Sequence, residues 1–437
     1  MGDGDLKISS AKAWVVAVSM GYGHQRTAYP LKDISPDNNF INANDYIGMP
    51  EKDRRLWENL RQFYESISNF EHIPLVGDLF FSIFDYFQKI ADFYPRRDLS
   101  KPNFVLKQLF KMIKNGWGKH LIEKLSKNYL PLVSTFFVPV FMAEVFNYPG
   151  DIYCIICDAD IARGWAPENP QQTRIHYFAS THRVAERLKS YGVPLKNIIL
   201  TGYPLPKENI GINDEIVKHD FSHRILNLDP SHYFRSKYEP LLKSKIGPLP
   251  HQSNHILTIM FSVGGAGAQK EIGAQILASL KEKILSGKIR LFLASGIKDN
   301  VSSYFQTQIA KNKLSNLLNS QIKIIKGRDL NHYFENFNLA LRETDILWTK
   351  PSELSFYSGL GIPIIIAPPL GSQEKFNQQW LLTIGAGINQ QNPIYADEWI
   401  FDLLDRGIIA NSAFKGFIEV ERRGVFKIEE YLRKNEK

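Results

Sequence analysis

Ile256-Leu257-Thr258-Ile259-Met260-Phe261-Ser262-Val263-Gly264-Gly265-Ala266-Gly267-Ala268-Gln269 decides how this chain is read. An apolar run of strand length, 256–263, stops at a glycine-rich turn, and from 268 to 285 the apolar spacing becomes helical. Strand, glycine turn and helix in that order form the repeating piece of a parallel α/β sheet. The free backbone N–H groups of such a turn and the dipole of the following helix suit a diphosphate. The turn lacks the Gly-Lys-Ser/Thr ending of an ATP-hydrolysing loop and the spacing of a dinucleotide fingerprint, so no nicotinamide, flavin or other cofactor is expected.

The same alternation extends outward. Downstream, strands are expected at 289–294, 322–325, 346–348 and 362–367, and a charged helix at 413–434. Upstream, strands are expected at 14–19, 152–157, 175–179 and 198–201, with a helix at 182–190 between the last two. The pattern turns polar after Pro204, and 244–254, with Gly247, Pro248 and Pro250, reads as a linker. Two Rossmann-like halves follow, 1–250 and 251–412, with 413–437 a closing helix expected to pack back on the first half. At 437 residues and 50.1 kDa the chain is too long for one ordinary core.

Composition narrows the class. Two cysteines rule out a disulfide scaffold and point to a reducing, cytoplasmic setting. Cys154 and Cys157 fall inside an expected strand, where residues three apart face opposite ways, so both read as core. No secretory leader is visible, since the apolar run 13–18 is too short. The best bilayer candidate, 130–146, is broken by Pro131 and Pro139 and reads as a strand followed by a helix. The net charge of +8 calls for an anionic partner, but no nucleic-acid motif accompanies it.

That charge is concentrated. Between 96 and 127 nine Lys or Arg face two acids, which is nearly the whole excess. This stretch lies in a helical, aromatic-rich region, 51–130, that interrupts the alternation. Phe104, Phe110, Ile113, Trp117 and Leu121 recur at helical spacing among the lysines, the pattern of a helix lying on an anionic membrane surface. The alternative is a helix packed on its own domain with a solvated basic face.

Three segments carry candidate chemistry. The first is Gly21-Tyr22-Gly23-His24, directly after the first strand. There the backbone can approach a ligand, and a histidine at the carboxyl edge of a sheet can accept a proton. The second is the opening loop itself, through Gly264, Gly265, Gly267, Ala268 and Gln269. The third is Thr349-Lys350-Pro351-Ser352-Glu353, continuing to Gln373-Glu374-Lys375-Phe376-Asn377. Glu353 at the start of a helix can accept both hydroxyls of a ribose, and Gln373, Glu374 and Asn377 offer donors and acceptors to sugar hydroxyls. Asp158 and Asp160 after the third expected strand form an Asp-x-Asp that can hold a divalent metal on a diphosphate. Two glycine loops in two Rossmann-like halves argue against that, and no metal is expected.

These segments together resemble the GT-B glycosyltransferases, in particular the diacylglycerol glycosyltransferases (monogalactosyldiacylglycerol synthase-like) and the lipid II-forming N-acetylglucosaminyltransferases. The likeness spans most of the chain: Gly21 to His24, Asp158 to Pro206, Gly264 to Ala268, and Lys350 to Asn377, closest to the diacylglycerol enzymes in Gln373-Glu374-Lys375-Phe376-Asn377. Met20, Tyr22, Asp158-Ala159-Asp160 and Ala266 depart from the usual pattern.

The resemblance implies an α/β fold of two Rossmann-like domains with parallel sheets facing across a cleft, acceptor on the first domain and nucleotide sugar on the second. It implies inverting, metal-independent transfer of a hexose or N-acetylhexosamine from a UDP-sugar to an acceptor hydroxyl. His24 or Asp158 would be the base, and the donor would be held by Gly264, Gly265, Gly267, Ala268, Gln269, Lys350, Ser352, Glu353, Gln373, Glu374 and Asn377. A lipid acceptor fits the basic region, with the enzyme peripheral on the inner membrane face. A soluble acceptor, a nucleotide-sugar 2-epimerase and a non-catalytic nucleotide-binding subunit are the alternatives.

Overall fold

The computed structural model describes residues 11–68, 90–265 and 267–435, with the backbone alone over 61–68. Part of the aromatic region 51–130, and Ala266 of the second glycine loop, lie outside the described residues. The chain forms two compact units, one of residues 1–204 and 423–437, the other of 205–422.

The first unit holds a six-stranded sheet of β1 (Trp14–Ala17), β2 (Ile41–Asn42), β3 (Leu132–Ser134), β4 (Ile152–Ile155), β5 (Ile175–Ala179) and β6 (Ile198–Leu200). Every pairing is parallel, in the order β2-β1-β3-β4-β5-β6. Strands β3 and β4 are buried throughout, as sheets covered by helices on both faces require. The second unit's sheet comprises β7 (Thr258–Ser262), β8 (Arg290–Gly296), β9 (Ile322–Lys326), β10 (Ile346–Thr349), β11 (Ile364–Ile366) and β12 (Gly387–Asn389). It is again all parallel, in the order β12-β11-β10-β7-β8-β9. Each order reverses once: between β1 and β3 in the first sheet, and between β7 and β10 in the second. Open α/β sheets bind ligands at such reversals, outside the carboxyl ends of the strands.

The α/β class and the two Rossmann-like halves are as expected, but the division of the chain differs. The stretch 205–250 was expected with the first half and packs in the second. Its helix Glu215–Leu228 sends Arg224 into that unit's interior, where the guanidinium donates to the carbonyls of Thr344, Leu360 and Leu341 at 2.7, 2.9 and 3.2 Å. Asp220 on the same helix pairs with Arg342. The expected linker is therefore a turn within one unit: the helix Arg235–Ile246 runs into it and ends at Gly247, whose φ of +88° suits glycine. The closing helix is also two helices, Ile408–Glu419 in the second unit and Gly424–Lys434 in the first. Val425, Ile428 and Leu432 of the latter are buried, and Tyr431 sets its ring edge-on to Tyr153 and Phe178.

The basic stretch also differs from the membrane-lying pattern. In the helices Phe104–Lys114 and Lys119–Leu125, with Trp117 between them, the residues Phe110, Ile113, Trp117 and Leu121 are buried. Phe110 packs on Phe141 and Trp117 on Trp57, so the apolar stripe is a core face and its lysines remain outside. Of the five stripe residues Phe104 stays exposed. Among the described residues, no helix is long and apolar enough to cross a membrane.

Candidate active site

In the second unit the loop after β7 and the loop after β10 flank the reversal of strand order. Beyond Ser262 the chain closes a tight turn, Gly267 N–H to Gly264 O at 2.7 Å, with Gly267 at φ +79°. Gln269, also left-handed at φ +66°, precedes the helix Lys270–Ser279, whose first turn carries no side-chain cap. Ile272 N–H turns back to the Gln269 carbonyl at 3.1 Å, and the uncapped start of the helix ahead of it suits an anion. Gln269 Nε2 donates to the Pro368 carbonyl at 2.8 Å, tying this loop to the one after β11. Ser262 Oγ is buried and has no partner among the described residues.

Lys350 leaves the end of β10 and crosses the glycine turn. A Cβ on Gly264 would lie 2.8 Å from Lys350 Cε, so that position has room for no side chain while the lysine is there. The ammonium pairs closely with Glu374, whose other oxygen accepts from Leu370 N–H at 2.7 Å. One carboxylate therefore fixes both the lysine and the bend that starts the helix Ser372–Ile384.

The rest of the third segment is built around this pair. Ser352 caps the helix that follows, Glu353–Leu360, which is 3₁₀ and fully buried. Glu353 opens that helix and is 8% exposed. Asn377 is buried and its amide donates to the Pro351 carbonyl at 3.2 Å, so it holds the Lys350–Ser352 bend in place. Gln373 stands half-buried in the first turn of the helix.

In the first unit Gly21, Tyr22, Gly23 and His24 sit at the β1/β3 reversal. Gly21 takes φ +82°, and Tyr22 precedes the short helix Gly23–Ala28. His24 is clasped by the residue after β3: Nδ1 lies 2.8 Å from the Thr135 carbonyl, and Thr135 Oγ1 donates to the His24 carbonyl at 2.9 Å. A carbonyl can only accept, so Nδ1 carries the proton and Nε2 keeps its lone pair. Phe136 and Trp165 close around the ring. This desolvation lowers the imidazole to about 4, with the Thr135 hydrogen bond opposing it.

Cys157 is not on a strand, because β4 ends at Ile155. Its sulfur lies 3.5 Å from His24 Nδ1 and 4.0 Å from Asp158 Oδ2. The structure so brings His24 and Asp158 to one place through a cysteine that the sequence assigned to the core. Asp160 is elsewhere: it is buried and takes a two-pronged ion pair from Arg187, at 2.9 and 2.8 Å. Among the described residues no group of His, Cys, Asp or Glu is arranged to hold a metal.

Residues 250–323 match a family described as a domain of unknown function (DUF6938). Over 388 residues the chain is 21% identical to the processive diacylglycerol beta-glucosyltransferase of Bacillus pumilus (strain SAFR-032), covering 87% of this chain and 83% of that protein. Among solved structures it is similar to a glycosyltransferase from Rickettsia africae ESF-5 (14% identity, 98% and 100% of the two chains, TM-score 0.42). It is also similar to the UDP-GlcNAc 2-epimerase from Neisseria meningitidis (12% identity, 97% and 100%, TM-score 0.47). At 388 residues the likeness to the Bacillus enzyme is longer than either unit and so extends into both.

Proposed function

We propose that this chain is a glycosyltransferase that moves a hexose or N-acetylhexosamine from a UDP-sugar to an acceptor hydroxyl, with inversion and without a metal, the acceptor being a lipid. The observation that carries the reading is the pair of loops at the β7/β10 reversal, where a helix start without a side-chain cap follows the glycine turn and Lys350 crosses that turn at Gly264. A diphosphate needs that combination, and a helix dipole with a cation can stabilise it as it departs. Glu353 holds the ribose, and Gln373 and Glu374 meet the sugar. The name of the Bacillus relative supports a diacylglycerol-type acceptor. The basic face over 96–127 and the exposed Ile47 and Phe104 suit a peripheral encounter with an anionic membrane.

The step balances simply. The acceptor oxygen bonds to the anomeric carbon, the bond from that carbon to the β-phosphate oxygen breaks, UDP leaves, and the acceptor proton goes to His24 Nε2. The test is calorimetric titration with UDP, with GDP and dTDP as controls, on wild type and Glu353→Ala, followed by NMR of the product anomer from UDP-sugars and diacylglycerol. Selective UDP binding that weakens in the variant, with an inverted glycolipid product, is expected. Failure to bind any nucleotide sinks the reading, and UDP release without a glycosylated acceptor turns it toward hydrolysis or epimerisation.

A further inference from the structure

A second anion site emerges in the first unit, away from the glycine loops. A pocket of about 350 Å³ opens between the last turns of the helix His182–Ser190 and the segment 93–99. Its wall contains Arg96, Arg97, Arg187 and Lys189, with Phe93 as an apolar side and Glu186 as the acid among them. Glu186 sits 3.5 Å from Arg96 and 3.3 Å from Lys189, so one carboxylate serves two cations. Arg187 gives its Nε and Nη2 to Asp160, while its Nη1 is buried with no partner among the described residues. Three guanidinium groups gather on one ring: Arg183, Arg187 and Arg96 lie 3.9, 5.1 and 5.5 Å from the Phe93 centroid.

Cations in a last helical turn complement the carbonyl end of the dipole, which accounts for Arg187 and Lys189. It does not account for Arg96 and Arg97, which come from another segment. Four cations in the wall face Glu186 and, behind Arg187, Asp160; Asp92 is also within electrostatic reach of Arg187. Cations held together beyond what their acids neutralise, one with a buried unfilled N–H, form a receptor for an oxyanion with several acceptor oxygens.

We propose that this pocket binds a phosphate group, either on a small phosphate ester or on the headgroup of an anionic phospholipid. The proposal stands whether or not the chain transfers sugars, and its test reads binding alone. Wild type, Arg97→Glu, Arg97→Lys and the control Lys288→Glu/Lys311→Glu are compared; the control removes charge from exposed lysines of the second unit, outside both the pocket wall and the basic stretch 96–127. All three substituted positions are exposed, so folding is retained and checked by circular dichroism. One arm titrates glycerol 3-phosphate by calorimetry, and the other measures co-sedimentation with phosphatidylglycerol against phosphatidylcholine vesicles.

Saturable glycerol 3-phosphate binding, weakened at least about tenfold in Arg97→Glu and kept in Arg97→Lys and the control, identifies a soluble ester. Binding to phosphatidylglycerol vesicles alone, with the same variant pattern, identifies the headgroup. No binding in either arm, or equal loss in Arg97→Glu and the control, overturns the proposal.

Discussion

His24 keeps a neutral imidazole because Phe136, Trp165 and Cys157 exclude water from it while the Thr135 carbonyl takes its one proton. With its proton affinity lowered to about 4, it stays unprotonated across the physiological range. The acid limb of kcat/KM is therefore expected below about pH 5, and a limb centred near the ordinary histidine value of about 6.5 would remove His24 from the base role. The stability linkage has the same direction. The unfolded chain binds the proton from about pH 6.5 downward and the folded chain only near 4, so this contribution is intact above 6.5 and is lost as pH falls between the two. Desolvation also makes the imidazole a weaker base, so His24→Ala is expected to slow turnover by about 100-fold, at the low end of general-base effects; a rate within threefold of wild type would refute it. Lys350→Ala should weaken UDP by about 10- to 100-fold, the worth of one charge-assisted contact. An unchanged dissociation constant in calorimetry would mean that the lysine serves Glu374 alone.

Two glycines separate site effects from packing effects at the level of elements. In Gly264→Ala the new methyl meets the flexible end of Lys350, which can swing aside, so stability should hold while UDP affinity falls. In Gly361→Ala the methyl meets the Phe221 ring at 2.4 Å in a backbone at φ +70°, and neither can yield cheaply. Strain and overpacking together should cost about 2–4 kcal/mol and lower the melting temperature by several degrees; equal melting of the two variants would contradict this.

Much of this level was legible in the chain. Ile175–Ala179 and Ile322–Lys326 announce themselves as apolar strand runs, and both glycine loops mark the ends of first strands. The edge strands Ile41–Asn42 and Gly387–Asn389 did not, being two and three residues long with little apolar content. At Glu353–Leu360 the expected helix is present, in 3₁₀ form. The site was legible residue by residue but not as a constellation: Thr135 and Cys157 lie 111 and 133 positions from His24, and no local spacing joins them.

On the scale of the molecule, the first unit borrows its last helix from beyond the second. Val425, Ile428 and Leu432 each bury a side chain worth about 1.5–3 kcal/mol, together comparable with the net stability of a domain. A chain ended at Arg422 should therefore show a first unit open to limited proteolysis, while the second unit resists and keeps its affinity for UDP. Protection of both units would show the helix to be dispensable. The expected boundary near 250 missed this division because it followed glycines and prolines, whereas Arg224 and Asp220, single polar residues in an unremarkable stretch, assign the helix Glu215–Leu228 to the later sheet. The borrowed helix also bears on how the protein is born. On the ribosome the earlier-made unit usually finishes first. Here the seat at Tyr153 and Phe178 must wait until all of 205–422 has been translated, so the unit begun second is complete first, and the nascent chain carries an open apolar seat until the helix Gly424–Lys434 emerges.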